Sequence, residues 1–210
     1  AENYAAVTAS SPHLEAAVAS LETCWRGQLA TAKGKNAGEI VTAVEDYCRK
    51  LVMGEVNTWP QDWTNSQRLA AVLWAEFMLD FRPAGLNDAE KVLTAAIRGT
   101  PPATEEWKQS ANALLVIVYA SQPQRMEQAT ELLTHLGNAS TADLLALVDR
   151  LTVTAAKAQP QVKKGIAGLQ LTTVARLRLA SDKLTAAQRI SLDRIEAQAL
   201  ATQGQREKAL

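Results

Sequence analysis

Apolar residues recur every three or four positions along most of the chain, and that period belongs to amphipathic helices rather than strands. A first stripe is Leu14, Val18, Leu21, Trp25 and Leu29, predicting a helix from Pro12 to about Ala32. Pro12 suits the first turn, where its missing N–H costs nothing. A second helix is expected from Asn36 to about Glu55, striped by Ile40, Val44, Tyr47 and Leu51, with Asn36 and Glu39 spaced as a capping box. Leu69, Val72, Leu73, Phe77 and Leu79 mark a third over 65–81, broken by Arg82-Pro83-Ala84-Gly85. The fourth reads from an Asn87–Glu90 capping box to Gly99.

The longest unbroken apolar run is Ala113 to Ala120, inside the stretch Thr104–Leu136. Thr104 can cap a helix there, and Glu105 and Glu106 suit the positive end of its dipole. A helix apolar nearly all round must be covered on more than one side. The run is too short for a bilayer, which takes about 20 residues. This fifth helix is predicted over 105–121 and a sixth from Pro123 to Gly137. The seventh runs from Thr141 to about Lys157, and the eighth begins near Pro160. Gly165 and Gly168 lie inside the eighth, where a close neighbouring backbone is the expected reason. A ninth helix is capped by Thr185 with Gln188 at the box position and ends near Thr202. No Asn-Gly or Asp-Gly turn and no sustained alternation signal a hairpin of strands.

Helix starts at Thr64, Thr104, Thr141 and Thr185 are 40, 37 and 44 residues apart, each interval holding two helices with short turns. Such periods indicate stacked helical hairpins. The expected fold is all-α, a right-handed superhelical stack of about nine to ten helices in one array over 1–210. Its hairpins fall near 11–56, 64–100, 104–137, 140–180 and 185–210. The last is incomplete, since Gln205–Leu210 reads as the first turn of a further helix, so the array is expected to continue past residue 210. The chain starts at Ala1 with no basic segment and apolar core of a leader, which reads as a removed leader or an excised piece.

Ala89, Leu93, Ala96 and Pro101 follow the Ala-x3-large, Ala, Pro pattern of a second repeat helix, and Trp107, Ala111 and Leu114 follow that of a first. Ala129 with Leu133, and Ala197, Leu200, Gly204 and Ala209, add partial matches. Over residues 64–210 the chain thus resembles the tetratricopeptide repeat, with Ser110 in place of the usual Leu and no Pro after Leu136. The resemblance implies a concave groove lined by first helices that binds an extended peptide or a partner helix. In some members Lys and Asn one turn apart hold a peptide carboxylate. Lys108 and Asn112 fall on those positions, as do Arg194 and Gln198 in the last repeat; Leu145 interrupts the pattern between them.

Composition is that of an ordinary folded chain: 210 residues, 47% hydrophobic, 21% charged and only 5% aromatic. Net charge is zero but uneven, with eleven Lys and Arg against four Asp and Glu from Arg150 to Leu210. The plain reading is a solvated face; nucleic acid is an alternative partner, although no aromatic residue for base stacking follows Tyr119. Cys24 and Cys48 fall on consecutive helices. They are read as core thiols, or as a disulfide across the hairpin if the chain is exported. His13 and His135 lack ligand-pair spacing, so no metal site is expected. No phosphate-cradling glycine loop, HExxH or nucleophile elbow occurs. Glu127 and Glu131 share a face as solvated carboxylates. In the loop 57–63, Trp59 and Trp63 are read as plugs in the seam between hairpins, with an exposed aromatic edge as the alternative.

The function expected is a non-catalytic scaffold for a protein or peptide, without cofactor. A helical accessory domain of an exported or envelope protein and a nucleic-acid binder are the alternatives. Compartment and oligomeric state are left open by the residues.

Overall fold

Three helix starts obey one rule. Thr64, Ser140 and Thr185 sit in extended backbone, and each side-chain oxygen accepts from the N–H three residues on. The residue there (Gln67, Asp143 and Gln188) accepts in return from the cap's own N–H, closing a capping box. The computed structural model describes residues 14–55, 57–82, 85–137 and 139–205. The expected start at Pro12, part of the breaker at Pro83-Ala84, Ala209 of the repeat pattern and most of the expected turn Gln205–Leu210 lie outside them.

Among the described residues there are nine α-helices and no strands. They are α1 Leu14–Thr31, α2 Lys35–Met53, α3 Asn65–Phe81, α4 Leu86–Arg98, α5 Glu105–Ala120, α6 Met126–His135, α7 Thr141–Lys157, α8 Pro160–Arg178 and α9 Ala186–Thr202. Short 3₁₀ turns at Pro123–Arg125 and Ser181–Lys183 precede α6 and α9. The chain is all-α, and its helices pack mainly on their neighbours in sequence.

Two compact units divide it, Ala1–Thr104 and Glu105–Leu210. In the first, α3 packs against both α2 and α4, and α1 lies on α2 and α3. The core there includes Leu21, Val44, Cys48, Phe77, Val92 and Leu93, all fully buried. In the second unit α5 pairs with α6, α7 with α8, and α8 with α9. There α5 also packs on α7, and α6 on α8. Contact between alternate helices is what stacking of hairpins requires. Leu144, Val148, Val174, Leu177, Leu184, Leu192 and Ile195 join three of these helices into one cluster. From Leu114 to Val118 every residue of α5 is buried, as is Ala120, which accounts for the uninterrupted apolar run.

Two expected capping boxes do not form. The second helix begins at Lys35, behind Gly34 at φ 57°, so Asn36 already lies within its first turn. Glu39 approaches Lys35 instead, at 3.7 Å. The fourth begins at Leu86 behind Gly85, whose N–H donates to the Arg82 carbonyl at 2.7 Å, and Asn87 is likewise internal. The explanation expected for the α8 glycines also changes. A Cβ at Gly165 would meet the Met126 thioether, its Cε 2.5 Å away, rather than a backbone, and Gly168 has only Gln203 Nε2 at 3.5 Å.

Candidate functional site

Lys108 and Asn112 stand one turn apart on α5, both half-buried. Lys108 Nζ donates to Glu105 Oε1 at 2.7 Å, an ion pair within the same helix. Arg194 and Gln198 stand one turn apart on α9, both exposed. Each pair is thus held together by helical geometry. No hydrogen bond or ion pair joins one pair to the other, and α9 packs principally on α8 whereas α5 packs principally on α6 and α7. Leu145 packs against the apolar cluster of α7, α8 and α9. A side chain engaged in packing cannot offer a polar hand at that position.

The residue that departs from the repeat pattern has a role of its own. Ser110 Oγ donates to Asp143 Oδ1 at 3.0 Å, while Asp143 Oδ2 accepts from the backbone N–H and hydroxyl of Ser140. One carboxylate therefore caps α7 and ties α5 to it. A leucine at 110 would fill space but leave that oxygen without the hydroxyl.

Arginines close helix ends in both units, Arg68 buried and Arg176 half-buried. Arg68 on α3 is only 3% exposed, and its guanidinium donates to four backbone carbonyls. Nε donates to Ala96 O at 3.3 Å, Nη1 to Trp63 O at 3.0 Å, and Nη2 to Gly99 O at 3.2 Å and to Pro101 O. Ala96 lies in the last turn of α4 and Gly99 just beyond it, where carbonyls lack helical partners and the dipole is negative. Burial holds the Arg68 pKa below its ordinary value. Arg176 on α8 does the same for α6, donating to Leu133 O at 2.9 Å and to Leu136 O. Sequence motifs do not mark either residue. The signal available for Arg68 is its place on the buried face with Ala71, Ala75 and Met78, at i, i+3, i+7 and i+10.

Other opposite-sign pairs tie helices together, alongside pairs within one helix such as Arg49 with Asp46 and Lys91 with Asp88. Arg26 of α1 reaches Glu22 at 2.8 Å and, on α3, Asp80 at 2.7 Å and Glu76 at 3.8 Å. Burial works against its charge, but the hydrogen bonds to Asp80 and Glu22 prevail and its pKa stands raised. Arg82 pairs with Glu45 of α2 at 2.7 Å. Burial nevertheless raises the Glu45 pKa, and Arg82 only partly offsets it. Arg178 of α8 takes both Asp193 and Glu196 of α9.

The two loop tryptophans differ in burial. Trp63 is buried and its ring is stacked on Trp59, centroids 6.2 Å apart, but Trp59 remains 40% exposed. Trp63 packs against the end of α4, where a Cβ on Gly99 would lie 2.1 Å from its ring, within the expected 64–100 hairpin rather than in a seam between hairpins. Cys24 and Cys48 are both free thiols, Cys24 half-buried and Cys48 fully buried. Burial, with Glu22 and Glu45 near it, pushes the Cys48 thiol up to about 12. An open cleft of about 950 Å³ lies on the first turns of α2, bordered by Leu29, Phe81 and Arg82.

No group of three or more His, Cys, Asp or Glu among the described residues is arranged to hold a metal ion, and no described helix is long and apolar enough to cross a membrane. Compared with protein-family models, curated proteins and solved structures, the chain matches none.

Proposed function

We propose that the chain is a non-catalytic scaffold of the tetratricopeptide-like kind, taking a peptide or a partner protein on a concave face formed by first helices. What supports this reading most is the use made of its charged and polar side chains. Arg26 with Asp80, Arg82 with Glu45 and the carbonyl-bound Arg68 and Arg176 tie one element to another, a framework rather than a reaction centre. Outside that framework stand pairs such as Arg194 and Gln198, exposed one turn apart on a helix face. Such a pair suits a partner's carboxylate: a guanidinium donates two parallel hydrogen bonds to it and an amide adds a third.

The test is fluorescence anisotropy with labelled acidic peptides, each ending in a free carboxylate or in an amide. A peptide that engages these positions binds better with the free carboxylate. Its affinity falls by about tenfold, or about 1.4 kcal/mol, in Arg194→Ala or Lys108→Ala. Equal affinities for both peptide ends and for both variants would overturn the assignment of these residues.

A further inference from the structure

We draw no further inference here: the strongest candidate, the open cleft on the first turns of α2 between the ends of α1 and α3, has its rim charges already paired (Lys35 with Glu39, Asp46 with Arg49, Arg82 with Glu45), and nothing in the structure shows what would fill it.

Discussion

Arg68→Met keeps an unbranched side chain in the same slot and removes the guanidinium, so it isolates the contribution of four donated hydrogen bonds. The Ala96 and Trp63 carbonyls are bonded in buried surroundings, those of Gly99 and Pro101 in partly buried ones. Water can reach the second pair but not the first. Stranding two buried acceptors at about 1–3 kcal/mol each gives a loss of about 2–6 kcal/mol. The new apolar burial returns about 1–2 kcal/mol of that. The desolvation of an arginine without a carboxylate partner is also relieved, which places the net loss nearer 2–3 kcal/mol than the upper figure. Arg68→Lys retains the charge but offers three donors from one point, too few to span four carbonyls. It should fall between wild type and the methionine variant. Urea unfolding followed by tryptophan emission reads this directly, since four of the five tryptophans lie in the first unit. Unfolding free energies within about 0.5 kcal/mol of wild type for Arg68→Met would show that the carbonyls are satisfied without the arginine, and the reasoning would fail.

Two glycines should respond oppositely to alanine. Gly99→Ala drives a methyl into the Trp63 ring and should lower thermal stability by about 1–3 kcal/mol. Gly168→Ala meets only an amide at ordinary contact distance and should raise it by up to about 1 kcal/mol. Calorimetry of both proteins decides, and a destabilised Gly168→Ala would contradict the ordinary contact distance seen there. Ser110→Ala removes the α5–α7 tie, with an expected loss of about 1 kcal/mol in denaturant unfolding. Because Cys48 has a raised folded pKa, its contribution is whole below pH 9 and declines as pH rises from 9 toward about 12. Over that window the unfolded thiol ionises first, and stability should drop by up to about 1.4 kcal/mol per pH unit. Cys48→Ala should flatten the alkaline slope by one proton, and an unchanged slope would assign it to other groups.

Helix existence was legible because burial and period are the same fact seen twice. Leu144, Leu147, Val148 and Leu151 were spaced as one face, and that face is the buried one of α7. Gln188 three residues after Thr185 announced a capping box that the backbone forms. The Asn36 box failed because Gly34, at φ 57°, lets α2 begin earlier than a polar cap would have placed it, and Asn87 falls inside α4 because that helix begins at Leu86. A propensity argument weighs side chains and cannot see which φ the preceding glycine adopts. The long-range nodes were hidden for a related reason. Arg68 reaches acceptors 28 to 33 residues away, and those acceptors are main-chain atoms that every residue carries. Nothing in their side chains advertises them.

The basic stretch from Arg150 onward shows how tertiary structure revises a charge count. Eleven cations against four anions describe a segment, whereas a partner meets a surface. Arg176, half-buried, is turned onto the Leu133 and Leu136 carbonyls, where its charge meets the negative end of α6. Arg178 is held by two carboxylates of α9. What remains outward on α8 and α9 includes Lys164, Arg189 and Arg194, on a chain segment with no aromatic residue to stack a base. Nucleic-acid affinity grows with the number of phosphates that cations can neutralise, so each arginine engaged inside the fold weakens that reading. A single exposed arginine beside an amide still suffices for one carboxylate, and on the proposed reading Arg194 and Gln198 would take that of a peptide.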